Sequence, residues 1–194
     1  MLAAVILSGG QSRRMGSPKA LLDYQGRPFL EHLIEATRHP RIGATRVVLG
    51  AGAETIYNKL KLDPATVIIN PDWEKGQLSS IHAALRSLRS ETDGMILCLI
   101  DHPLISAALV SQLIQQFYES GKRIVVPVYN GRRGHPVIFS SALYDELLNA
   151  PLDTGARAVV WNHPEDTLEV PTEEEGVVLN LNDPETFQRA MGRL

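Results

Sequence analysis

Among its 194 residues the chain carries a single cysteine, Cys98, so no disulfide can form within it and no cysteine cluster with zinc spacing is available. Cys98 lies inside an apolar run and reads as a small core residue in a reducing cytoplasm. No apolar run approaches membrane-spanning length, and the N-terminus has neither the basic flank nor the small-residue cleavage site of a signal peptide, so a cytoplasmic location is expected. An excess of positive charge is also missing. With 19 Lys and Arg against 22 Asp and Glu, the net charge of -3 argues against a general nucleic-acid or membrane-surface binder, which needs a basic face. Repeats, low-complexity segments and an obvious linker are absent, as are a nucleophile elbow and a Cys/His pair in recognisable context. With 44% of its residues hydrophobic the chain can bury one sizeable core, and residues 1–194 are expected to form one domain.

Short β-rich runs alternate with helical patterns, which predicts the α/β class with a mostly parallel sheet covered by helices on both faces. The expected strands are 3–7, 46–49, 66–69, 95–100, 123–128 and 137–139, with a weaker one at 176–179. Helices are expected over 29–37, 53–62, 80–88, 107–119, 142–148, 155–161 and 184–191, the clearest of them capped by Ser106 and stopped by Gly121.

The first strand runs directly into the most informative segment, Leu7-Ser8-Gly9-Gly10-Gln11-Ser12-Arg13-Arg14-Met15-Gly16-Ser17-Pro18-Lys19. Gly9, Gly10 and Gly16 allow backbone N–H groups to approach an anion without an intervening Cβ, and Arg14 and Lys19 supply fixed positive charge to the same oxygens. The loop also sits where open α/β sheets bind ligands, beyond the carboxyl end of a strand. It is not a Walker A loop, because Ser17 and Pro18 separate Gly16 from Lys19, and adjacent Gly9 and Gly10 do not open a dinucleotide fingerprint. Taken alone, Gly9 and Gly10 are equally compatible with a tight turn, but a turn does not need that much positive charge. Lys19 is expected to be a surface lysine that matters little for folding.

A polyphosphate loop calls for a carboxylate to hold the accompanying Mg²⁺, and Asp101, which ends the apolar run 95–100, is the candidate. His102 beside it can be read as a base or a base-stacking ring but reads first as a satisfied loop histidine, and receives no catalytic role. Asn70-Pro71-Asp72-Trp73-Glu74-Lys75-Gly76-Gln77-Leu78-Ser79-Ser80 again follows an apolar strand and offers backbone and hydroxyl donors, while either serine alone also reads as a helix cap. Trp73 is expected to pack its own loop. Arg132, Arg133 and His135 fit a solvated hairpin tip as well as a cleft wall. Asp183 before Pro184 reads as an N-cap.

Together LSGGQSRRMGSPKALL, LIDHPL, the Asn-x-x-Trp…Gly…Ser-Ser stretch, GRRGHPVIF and NLNDPE resemble the MobA-like nucleotidyltransferases, from Ala3 to Phe187, and most nearly the molybdenum cofactor cytidylyltransferases. The resemblance implies a Rossmann-like, three-layer α/β/α fold and transfer of a nucleoside monophosphate from a nucleoside triphosphate to a phosphorylated acceptor, molybdopterin, with release of pyrophosphate and with Mg²⁺ as cofactor. It places Arg14, Lys19 and Asp101 in catalysis. Leu7, Ser8, Gly9, Gly10, Ser12, Asn70, Ser79 and Ser80 go with Arg14 and Lys19 in nucleotide binding, and Gly134, His135 and Pro136 on the acceptor side. Asn182 stands where cytidylyltransferases often have Asp; lacking charge, it is a weak second metal ligand and matches the guanylyltransferase pattern. Gly134-His135-Pro136 and the 76–80 stretch favour CTP, with Ser79 and Ser80 as the wall of the base pocket; the Asn180-x-Asn182 element favours GTP. A sugar- or polyol-phosphate acceptor and a non-catalytic nucleotide-binding module are the alternatives.

Overall fold

The computed structural model describes residues 1–11, 16–88 and 92–192. Its centre is a sheet in the order β10-β7-β9-β6-β1-β4-β5, with β8 paired to β7. These strands are β1 (Leu2–Ser8), β4 (Ile42–Leu49), β5 (Val67–Ile69), β6 (Gly94–Leu99), β7 (Ile124–Tyr129), β8 (Arg132–Arg133), β9 (Val137–Ser140) and β10 (Thr167–Pro171). A separate hairpin pairs β2 (Asp23–Tyr24) with β3 (Arg27–Pro28). The β1, β4, β5 and β6 strands are mutually parallel, as are β7 and β10; β9 runs against both β6 and β7 and joins the two groups.

β1 is buried along its whole length because it needs apolar residues on both faces. Leu2, Ala4 and Ile6 enter one core with Phe29, Leu30 and Leu33 of α1 (Phe29–Ala36), Ile56 of α2 (Ala53–Leu60) and Leu109, Leu113 and Ile114 of α4 (Ala107–Ser120). Val5 and Leu7 point the other way, to Leu78 and Ile81 of α3 (Gln77–Leu85), Leu147 of α5 (Tyr144–Asn149) and Val159 of α6 (Arg157–Asn162). The period of two in the strand thus builds the three layers. A last helix, α7 (Pro184–Gly192), closes the first of these faces through Ala190. No helix among the described residues is long and apolar enough to cross a membrane.

The helix ends follow local chemistry. The Ser106 hydroxyl accepts from the Leu109 amide at 3.0 Å to start α4, and Gly121 ends it at φ +66°. Asp183 accepts from the Thr186 amide at 2.8 Å, the N-cap expected for α7.

Three expectations are corrected. Residues 176–179 form no strand: Glu175–Val177 is a 3₁₀ turn, and a Cβ on Gly176 would lie 1.8 Å from the Leu104 carbonyl oxygen, so the chain packs here by backbone contact rather than by strand pairing. The edge strand β10 and the β2–β3 hairpin were not expected from sequence. Neither serine caps α3. Gly76 does, at φ +97° and ψ −179°, a backbone conformation that disfavours any side chain, and the helix begins at Gln77.

Candidate functional site

Four chain segments leave the sheet at the same edge. The glycine loop follows β1, Gly50 follows β4, Asn70 follows β5 and Asp101 follows β6. Backbone hydrogen bonds tie them together: the Ala51 amide donates to the Gly9 carbonyl at 3.2 Å, and the Ile100 amide to the Leu7 carbonyl at 3.1 Å. Gly50 is required by this crossing, since a Cβ there would lie 2.5 Å from the Gly9 oxygen and 2.6 Å from Trp73 Cβ.

The edge encloses a cavity of about 700 Å³, a usual size for a small-molecule site, whose walls include Leu7, Gly9, Gly10, Lys19, Ser80, Asp101 and Asn182. Lys19, in a 3₁₀ turn (Lys19–Leu21), is not a surface lysine: its side chain is 12% exposed. Its ammonium donates to Asn182 Oδ1 and lies 4.0 Å from Asp101 Oδ2. Asn180 Nδ2 donates to the same Asp101 oxygen at 2.9 Å, and the Leu181 amide to the Asp101 carbonyl at 2.8 Å. Residues from three distant stretches thereby set one ammonium and two carboxamides beside one carboxylate. Arg14 and Ser12 lie outside the described residues.

Asp101 Oδ1 is buried and has no hydrogen-bond partner among the described residues. A lone buried carboxylate oxygen on the wall of this cavity suits a divalent cation that takes its other ligands from substrate and water. Asn182 fits that role less well than expected, because its carbonyl oxygen is engaged by the Lys19 ammonium. Among the described residues no group of three or more His, Cys, Asp or Glu could hold a metal ion.

The residues expected on the nucleotide side divide into two kinds. Leu7, Gly9, Gly10, Lys19 and Ser80 reach the cavity wall. Asn70, Ser79 and Ser8 are buried beneath it. Asn70 Nδ2 donates to both serine hydroxyls, at 2.9 and 3.0 Å, and its Oδ1 accepts from the Asp72 amide at 3.0 Å. Ser79 Oγ in turn bonds the carbonyls of Asp72 at 2.9 Å and Gly76 at 2.7 Å. These are scaffold contacts that hold the 70–80 loop, and Ser79 does not line the cavity, whereas Trp73, Gly76, Gln77 and Ser80 do. Trp73 was expected to pack its loop alone.

The residues expected on the acceptor side, Gly134, His135 and Pro136, stand just before β9. A Cβ on Gly134 would meet the Val177 oxygen at 2.3 Å, and the His135 amide donates to that same oxygen at 2.8 Å. His135 and Pro136 are joined by a cis peptide bond. The register opposes Leu97 to Val137 across β6 and β9, which carries His135 to the Asp101 edge. Its ring lies 5.1 Å from that of His102 at 46°, and His102 Nε2 is 4.0 Å from Asp101 Oδ1. Burial lowers both imidazoles, His135 to about 4, the neighbouring imidazole adding to the effect, so both are neutral at pH 7. Arg133 is exposed and paired with Glu169 at 2.6 Å, the hairpin tip that sequence allowed. Sequence reasoning left His102 without a role and missed Asn180 and Gln77 as cavity residues; Asn180 was visible only as part of the Asn180-x-Asn182 element.

The MobA-like NTP transferase domain matches residues 4–167. The chain belongs to the MobA-like NTP transferase family. A molybdenum cofactor guanylyltransferase of Rhizobium meliloti (strain 1021) is 31% identical over 96% of this chain and 89% of its own. The molybdenum cofactor cytidylyltransferase of Escherichia coli (strain K12) is 23% identical over 97% and 95%. Nicotine blue oxidoreductase of Paenarthrobacter nicotinovorans is 29% identical over 84% and 83%. In structure, Rv0371c of Mycobacterium tuberculosis H37Rv superposes with a TM-score of 0.85 at 25% identity, over 100% of both chains. This family membership fits the Rossmann-like three-layer fold seen here and makes nucleotidyl transfer the chemistry of the MobA-like domain.

Proposed function

We propose that this MobA-like nucleotidyltransferase moves a nucleoside monophosphate from a nucleoside triphosphate, CTP in preference to GTP, to the phosphate of molybdopterin. An acceptor phosphate oxygen attacks the α-phosphorus, the bond to the β-phosphate oxygen breaks, and pyrophosphate leaves. The observation that carries the reading is the meeting of Lys19, Asp101 and Asn182 beside the glycine loop in one cavity. Such a reaction needs positioning and charge stabilisation rather than a protein nucleophile. Lys19 would hold triphosphate oxygens, Arg14 would add to that charge, and Asn182 would orient the Lys19 ammonium. Asp101 would hold Mg²⁺, which when bound neutralises charge developing on the phosphates. Gly134, His135 and Pro136 would shape the acceptor side.

A second reading, use of GTP, is supported by the guanylyltransferase relative at 31% identity and by Asn182 in place of Asp. The CTP reading rests on Gly134-His135-Pro136 and on the wall made by Gly76, Gln77 and Ser80. The test is pyrophosphate release from each of the four nucleoside triphosphates with and without molybdopterin. Release that requires both molybdopterin and CTP is the expected result. Oxidation–reduction activity without pyrophosphate release would move the chain to the activity named for its Paenarthrobacter relative.

A further inference from the structure

Next to the first cavity lies a second one of about 570 Å³, and the two share Gln77 and His135. Its floor is apolar, built from Leu97, Val126, Val137 and Phe139, all core residues of the sheet face under α3, α5 and α6. At its rim stand Leu152 and Trp161, exposed by 57% and 62%. Only four large hydrophobic side chains are exposed among the described residues, and two of them edge this single cavity. Scattered exposed hydrophobes need no explanation, whereas two on one concave rim mark a surface that is covered when in use. Arg157 shares the rim and makes no ion pair among the described residues. An apolar floor with a few polar groups is the usual composition of a small-molecule pocket, and an aromatic platform is the usual means of holding a flat ring. His135, whose Nδ1 has no hydrogen-bond partner among the described residues, stands with Gln77 on the boundary between the cavities.

We propose that this second cavity holds the flat fused-ring end of the acceptor, stacked on Trp161, so that the acceptor phosphate reaches past His135 towards Asp101. Trp161 is thereby a specificity-determining residue. The inference rests on the reading of the chain as a transferase to molybdopterin, and names the part of the molecule that selects it. Its chemical class is a phosphorylated pterin or a similar polar heteroaromatic. A second copy of this chain is the competing occupant of the same rim.

The experiment measures the affinity of the wild-type protein, Trp161→Ala and Trp161→Phe for 6-hydroxymethylpterin monophosphate by calorimetry, together with nucleotide affinity and, by light scattering, oligomeric state. Loss of one stacking platform should weaken pterin phosphate about tenfold in Trp161→Ala, leave nucleotide affinity unchanged, and be largely restored in Trp161→Phe. Equal pterin affinity in all three proteins overturns the proposal, as does a dimer that Trp161→Ala dissolves without changing that affinity. Pterin binding that depends on Trp161 in a wild-type protein that releases no pyrophosphate with molybdopterin supports the ring pocket and refutes the transfer reaction, so the two failures are separate.

Discussion

Replacing Lys19 with Ala tests the site most directly, because structure and chemistry make separate demands on one ammonium. Removing it takes away the attraction to Asp101 across 4.0 Å, a gross term of about 4 kcal/mol at an effective dielectric constant of about 20. It also removes the hydrogen bond to Asn182, about 1 kcal/mol. Against these stands the relief of desolvating a lysine whose side chain is 12% exposed, a penalty of several kcal/mol that cancels most of the gain. The net cost to folding should be about 1–2 kcal/mol, a fall in Tm of about 2–8 °C for a chain of this size. Turnover should suffer far more. A preorganised donor to charge developing in the transition state contributes about 10²–10³ in kcat, equivalent to about 2.7–4 kcal/mol. The assay is continuous pyrophosphate release with saturating acceptor, run beside thermal unfolding with and without nucleotide. Wild-type protein at a nucleotide concentration of about 100 Kd should gain about 2.7 kcal/mol from the ligand, and Lys19→Ala much less at that concentration. Wild-type turnover in a variant with lowered Tm would refute the assignment of Lys19 to the triphosphate and leave it a purely structural lysine.

Asp101→Asn keeps shape but not charge, so activity should collapse and excess Mg²⁺ recover only part of it; an unchanged magnesium dependence would reduce Asp101 to a strand-end residue. For the base, kcat/KM should favour CTP over GTP by about tenfold or more, about 1.4 kcal/mol, and equal use or a GTP preference would reverse the choice of branch. Gly134→Ala puts a methyl group 2.3 Å from the Val177 oxygen and should cost about 1–3 kcal/mol by urea unfolding, with wild-type stability counting against that packing. His135 titrates at about 4 in the folded protein and at its ordinary 6.5 when unfolded, so the unfolded chain binds the extra proton. Its contribution to stability is whole above pH 6.5 and is lost as pH falls from there to about 4; urea midpoints should show that slope, and His135→Asn should flatten it.

The parts of the fold legible in the sequence are those set by local chemistry. The apolar run at β1, the Ser106 cap and the Gly121 stop are decided by neighbours in the chain, and each stands where the residues imply. β10 was illegible because Thr167-Leu168-Glu169-Val170-Pro171 is an edge strand with few apolar residues and a terminal proline. The Gly176 segment misled because its valines looked like a strand, while the Leu104 carbonyl that decides its packing comes from elsewhere. At the site, residue types were readable but partners were not. Lys19 and Asn182 lie 163 positions apart, and nothing in either segment says that one would occupy the other's oxygen. Ser79 shows the converse: its hydroxyl was available on paper and is consumed by Asp72 and Gly76 in the folded loop.

The reversed strand β9 has a mechanical consequence. Had it run parallel to β6, the segment before it would emerge at the far side of the molecule, some four residues of strand away from Asp101. Because it runs the other way, the walls of the two cavities are adjacent strands of one ladder, spaced about 4.8 Å, with no crossover helix between them. The start of β9, just after His135 and Pro136, is therefore paired directly with the strand that leads to Asp101. The direction of one short strand thus decides which loop meets Asp101: reversed, β9 brings the residues before it to the site, whereas a parallel strand would bring the residues after it.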